Sequence, residues 1–92
     1  MEKDIEAYLG KQVKALGGLS LKWLSPGLDG VPDRIILLPG GRVIFAETKD
    51  TGKKPRKKQL HRHDQLRALG FMVIVPDSKT AVDRLLREVA EA

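Results

Sequence analysis

The sequence predicts one α/β domain, a small mixed β-sheet flanked by helices. Three observations carry this expectation. Apolar residues recur at helical spacing near both ends of the chain and once between. Short apolar runs separate those stretches, and two of the runs are joined by a Pro-Gly-Gly turn that suits a hairpin. The chain has 92 residues, room for one core. Apolar residues make up 41% of it and charged residues 32%, the balance of a folded chain and not a disordered one.

The elements follow in order. Residues 3–16 place Ile5, Leu9, Val13 and Leu16 along one helical stripe, and Gly17-Gly18 ends it. Residues 19–24 alternate in part and predict a strand. Residues 25–32 hold two prolines and two glycines and predict a loop. The run 34–38 predicts a buried strand, Pro39-Gly40-Gly41 a turn, and residues 42–49 its antiparallel partner. A basic loop then runs to Pro55. Residues 56–69 predict a helix with Leu60, Leu66 and Leu69 inward, closed by Gly70. Residues 71–75 are wholly apolar, as in strands covered on both faces. Ser78 suits the N-cap of a last helix that carries Val82, Leu85, Leu86 and Val89. The order αβββαβα implies a mixed sheet with a right-handed crossover.

Several classes are excluded or disfavoured. No apolar run nears the roughly 18 residues of a membrane span. The first six residues are acidic and helical in pattern, unlike a secretory signal, so the expected location is cytoplasmic, in a bacterium or a phage-infected host. The absence of cysteine removes disulfides, thiolate metal sites and cysteine nucleophiles.

Charge narrows the field further. The chain carries a net +5, yet residues 49–67 alone carry eight basic and two acidic side chains. The rest of the chain holds nine basic and ten acidic residues, so the whole excess lies in one segment. A concentrated patch of this kind points to a polyanion, most simply nucleic acid. Lys53, Lys54, Arg56, Lys57, Lys58 and Arg62 are the candidate DNA-binding residues; Arg34 and Lys22 are weaker ones. No aromatic residue lies between positions 46 and 70, which argues against base stacking and for backbone contacts to duplex or branched DNA. Tyr8, Trp23, Phe45 and Phe71 are read as core residues.

Asp33 opens one hairpin strand, and Glu47 and Lys49 lie near the end of the other. Residues i and i+2 of a strand share a face, roughly 7 Å apart, and the hairpin brings Asp33 beside Glu47. Two carboxylates and an ammonium on one patch suit metal-assisted phosphodiester hydrolysis. The acids are hard ligands for Mg²⁺ or Mn²⁺. The lysine can orient a water, take its proton, or stabilise charge on the phosphate. An acid two residues before a lysine arises about once by chance in a chain of this composition, and Asp77-Ser78-Lys79 is a second instance, read as a surface turn. Only the first instance has the upstream Pro32-Asp33, the hairpin and the basic segment beside it. Two histidines, His61 and His63, sit two apart on a helix. They cannot converge on one ion and are read as polar surface residues.

Gly30-Val31-Pro32-Asp33-Arg34, Glu47-Thr48-Lys49 and Gln59 together resemble the virus-type replication-repair nuclease (VRR-NUC) domain, of the restriction-endonuclease-like PD-(D/E)XK superfamily. The resemblance runs from the first helix to the strand at 71–75, and that superfamily's αβββαβ core matches the order above. It implies that Asp33 and Glu47 bind the divalent metal with the main-chain carbonyl of Thr48. It makes Lys49 the catalytic lysine, has Gln59 support the site, and adds an acid from the first helix, best filled by Glu6 and less well by Glu2. Thr48 stands where the family often has a larger aliphatic residue, and should face away from its neighbours. The resemblance also implies structure-selective DNA cutting, like that of Holliday-junction resolvases, by a homodimer. The outer faces of the first and last helices are its candidate interfaces. Flap cutting, nonspecific nicking and cleavage of RNA are alternatives within the class. Outside it stand a non-catalytic basic nucleic-acid-binding module and a protein that binds an acidic partner protein.

Overall fold

Apolar alternation along the middle of the chain decides the architecture. In the computed structural model, which describes residues 1–91, the elements are α1 (Glu2–Ala15), β1 (Leu19–Lys22), β2 (Arg34–Leu38), β3 (Arg42–Ala46), α2 (Lys57–Ala68), β4 (Met72–Ile74) and α3 (Lys79–Glu91). The four strands form one sheet in the order β1-β2-β3-β4. The β1-β2 and β2-β3 pairs are antiparallel, and β3-β4 is parallel. The fold is the expected mixed α/β arrangement. Among the described residues no helix is long and apolar enough to cross a membrane.

One sheet face carries Ile36, Leu38, Ile44, Ala46 and Ile74. It packs on Ile5, Leu9 and Val13 of α1 and on Val82, Leu86 and Val89 of α3. The α1 residues stand at i, i+4 and i+8 and the α3 residues at i, i+4 and i+7, so burial follows from the helical repeat. Ser78 caps α3 as expected, its Oγ accepting the Ala81 N–H at 3.0 Å. At the other end of α3, Arg42 donates to the carbonyls of Val89 and Ala90, where helix carbonyls lack partners.

The opposite face is only partly covered. α2 lies over its β4 side, near Phe45 and Val73, and Phe45 stacks with Trp23 and Phe71 at 5.3 and 5.2 Å between ring centroids. Beyond α2, Leu19, Leu21 and Val43 remain exposed on that face. Exposed apolar residues thus gather more on this sheet face than on the outer sides of α1 and α3.

Several expectations need correction. β1 and β4 are shorter than expected, and Leu16 is exposed because α1 ends at Ala15, leaving it as the cap. Phe71 precedes β4 and stays part-exposed at the sheet edge. β3 ends at Ala46 and not at Lys49: Pro32 would stand opposite Thr48 and has no N–H for a ladder bond. The largest change is in α2, whose Leu60 and Leu69 are 46% and 75% exposed while Gln59 and His63 are buried. The helix turns its polar i, i+4 pair toward the end of β3, where Glu47 waits.

Candidate active site

Although β3 ends at Ala46, the chain beyond it stays extended. The Glu47 N–H donates to the Ile74 carbonyl at 2.9 Å and the Lys49 N–H to the Pro76 carbonyl at 3.1 Å. These bonds continue the parallel pattern of β3-β4, so alternation continues and Glu47 and Lys49 share a face. Lys49 Nζ lies 3.1 Å from Glu47 Oε2. The Glu47 side chain is fully buried and that of Lys49 is 15% exposed. The contact is an ion pair without hydrogen-bond geometry, which leaves Oε2 buried and short of a hydrogen-bond donor.

Asp33 arrives from the neighbouring strand. Arg34 pairs with Ala46, so the next step along the ladder sets Asp33 opposite Glu47 on the same face. Asp33 is half-buried. Its carboxyl is raised above the ordinary value, first by burial and then by the charges of Glu47, Glu2 and Glu6, against an opposing pull from Lys49. The sequence expectation of two carboxylates and one lysine on a common patch matches this placement.

The loop before Asp33 is held against α2 by close backbone contact. Gly30 has φ +81°, and a Cβ there would stand 2.5 Å from the Lys58 carbonyl oxygen. Only glycine meets both conditions. Lys58 Nζ also reaches Asp29 Oδ2 at 3.2 Å, and Arg62 leans on the Asp29 carbonyl and on Gln65. Between loop and helix lies a cleft of about 650 Å³ lined by Gly30, Asp33, Arg56, Lys57, Lys58 and Gln59. Gln59 is buried in its wall, but its Oε1 accepts the Arg56 N–H at 2.8 Å, so its visible work is to fasten the start of α2.

The remaining candidates separate. Glu6 is bonded to Arg34, with the Nε contact at 2.8 Å. By strand alternation Arg34 leaves β2 on the face opposite Asp33, so Glu6 acts on Asp33 through its field and Arg34 is occupied within the protein. Thr48 is fully buried and faces away from Glu47 and Lys49, with Oγ1 lacking a partner. Lys53, Lys54, Arg56 and Lys57 are exposed. Their loop is fastened to the start of α3, where Thr51 Oγ1 donates to the Asp77 carbonyl at 2.9 Å. The second acid-any-lysine triplet thus serves as a surface turn and anchor. His61 is exposed as expected, whereas His63 is wholly buried, with Nε2 3.2 Å from Glu47 Oε1. The two histidines, two apart on the helix, point to different sides. The useful spacing was Gln59 to His63, four residues apart on one face.

The donor set suits a hard divalent cation. Asp33 and Glu47 repel one another, and Glu47 Oε2 lacks a hydrogen-bond donor. Among the described residues no three acidic or imidazole side chains converge as a metal cage. Mg²⁺ typically uses one or two carboxylates and keeps several waters, so two acids and a main-chain carbonyl are an adequate set.

No family model matches the sequence. A phage protein named "Putative nuclease p44", of Acyrthosiphon pisum secondary endosymbiont phage 1, is 49% identical over 78 residues, covering 85% of this chain and 84% of that protein. A solved structure described as a "VRR_NUC domain" superposes with a TM-score of 0.90 at 37% identity, covering 94% of each chain.

Proposed function

Since the chain belongs to the VRR-NUC family, a family of nuclease domains, we propose that it is a divalent-metal-dependent DNA endonuclease that hydrolyses phosphodiester bonds. The observation that carries the reading is the shared face of Asp33, Glu47 and Lys49 at the edge of a cleft walled by Lys57 and Lys58. Asp33, Glu47 and the main-chain carbonyl of Thr48 would hold Mg²⁺ or Mn²⁺. The chemistry such a cation supplies is polarisation of the phosphate and a lowered pKa for bound water. Lys49 presents its ammonium to the charge that develops on the scissile phosphate, while Glu47 holds Nζ in place. Lys53, Lys54, Arg56 and Lys57 take the flanking phosphates, and Lys58 and Arg62 join them from the side of α2. Glu6, bonded to Arg34, adds its negative charge to the field at Asp33 and is not counted among the metal ligands. Gln59 keeps the first turn of α2 against the cleft.

The proposed substrate is branched DNA, cut in the manner of a Holliday-junction resolvase by a homodimer. One chain of this size carries one such site, and symmetrical cutting of a four-way junction needs two. A two-fold dimer supplies the second.

The test incubates the purified protein with labelled four-way junction, 5′-flap and linear duplex in Mg²⁺, Mn²⁺ or EDTA. Symmetrical junction cleavage that EDTA abolishes is the expected result. Cleavage of flaps alone, or equal nicking of all three, keeps the nuclease and discards the resolvase. Tight junction binding without cleavage in either metal identifies a binding module instead.

A further inference from the structure

His63 contributes nothing to the chemistry described so far, yet it is the one imidazole buried beneath the site. Its side chain and that of Glu47 are both fully buried, with Nε2 3.2 Å from Oε1. Among the described residues Nδ1 has no hydrogen-bond partner, so the ring's one polar contact there is with Glu47. An ionised Glu47 can only accept, which assigns the hydrogen to Nε2. Replacing such a buried polar pair with apolar side chains is often neutral or stabilising, so stability is a weak reason for its presence. Its geometry offers a better one. One oxygen of Glu47 is tethered to α2 by His63, and the other is left toward Lys49.

We infer that His63 is a positioning residue, which fixes the rotation of the Glu47 carboxylate so that Oε2 stays free on the site face for the cation and for Lys49. The inference rests on the metal-dependent nuclease reading. Without the Nε2 donor, Glu47 can turn and divide its oxygens between Lys49 and the interior. Partners behind metal-binding carboxylates typically contribute about 10- to 100-fold to metal affinity or activity.

The experiment compares wild type, His63→Phe and His63→Gln. Mn²⁺ affinity is measured by calorimetry on metal-free protein, and kcat and KM on labelled junction DNA, with a thermal melt of each variant. Phe keeps most of the ring volume and removes the donor; Gln keeps an N–H that can reach Oε1. The expected result is a loss of about 10- to 100-fold in Mn²⁺ affinity and in kcat for His63→Phe, with KM for DNA little changed, and recovery of most of both in His63→Gln. A folded His63→Phe that binds Mn²⁺ and cuts as wild type does overturns the inference. So does a Gln variant as impaired as the Phe variant. Should His63→Phe not fold, the two-bond ¹H–¹⁵N spectrum of wild-type His63 decides: hydrogen on Nε2 upholds the assignment, and hydrogen on Nδ1 alone overturns it. A wild-type protein that binds no Mn²⁺ and cuts nothing overturns the nuclease reading itself, a result distinct from a selective failure at His63.

Discussion

Asp33 shows what the site demands of individual residues. Burial and three neighbouring carboxylates raise its pKa, so the folded chain holds that proton more tightly than the unfolded chain does. The resulting stabilisation is full below the ordinary carboxylate value. It is lost as pH rises through the raised one. At neutral pH the ionised carboxylate is therefore less favourable to folding than the protonated one, a cost that the proposed cation would offset. Asp33→Asn should melt above wild type in metal-free buffer at pH 7, with the gap closing as pH falls through the carboxylate range. If the proposed metal site is right, Mn²⁺ should raise the melting temperature of wild type and not that of the variant. Thermal melts across pH, with and without Mn²⁺, check both expectations; an unchanged metal response would remove Asp33 from the ligand set.

At the scale of elements, the register of β2 against β3 and the seating of α2 build the site. Gly30 is the joint between them. Gly30→Ala brings a Cβ to 2.5 Å from the Lys58 carbonyl at φ +81°. It should destabilise the fold by about 1–3 kcal/mol. That is a fall of about 4–8 °C in melting temperature per kcal/mol for a chain of this size. Cleavage should fall further than the melt explains, because the loop carrying Asp33 moves away from α2. Ser78→Ala removes the α3 cap and should cost about 1 kcal/mol without touching cleavage, which makes it the stability control. These elements also mark how far the sequence could be read. The order of elements, the hairpin and the shared face of Asp33, Glu47 and Lys49 follow from hydrophobic periodicity and a short turn, both local signals. The buried face of α2 does not. Its leucines suit an inward stripe, but tertiary contacts prevail: Glu47 draws in His63, and Gln59, one turn earlier on the same face, is buried where it accepts the Arg56 N–H. Glu6 is named only through the resemblance, as a first-helix acid of the site, and its tie to Arg34 depends on which strand face Arg34 leaves by.

Across the whole molecule, charge and apolar surface fall on separate regions. The basic loop and the first turn of α2 hold the densest group of exposed cations, and the open sheet face holds Leu19, Leu21 and Val43. DNA affinity should therefore fall steeply with salt, by about 0.9 in log–log slope for each phosphate neutralised. Replacing Lys53, Lys54 and Lys57 together with alanine should flatten that slope and weaken binding to every duplex alike, measured by fluorescence anisotropy across a salt series. Light scattering should give twice the chain mass if the proposed dimer forms, and a monomer that resolves junctions symmetrically would contradict the two-site argument.

The most direct measurement is single-turnover cleavage of a four-way junction by wild type and Lys49→Ala, each in Mg²⁺ and in EDTA, with melts and binding curves confirming that both fold and both hold the DNA. Wild type should cut only with the metal. Lys49→Ala should bind the junction but cut about 10²- to 10⁴-fold more slowly. Undiminished cleavage by Lys49→Ala, or cleavage by wild type that persists in EDTA, would contradict this mechanism.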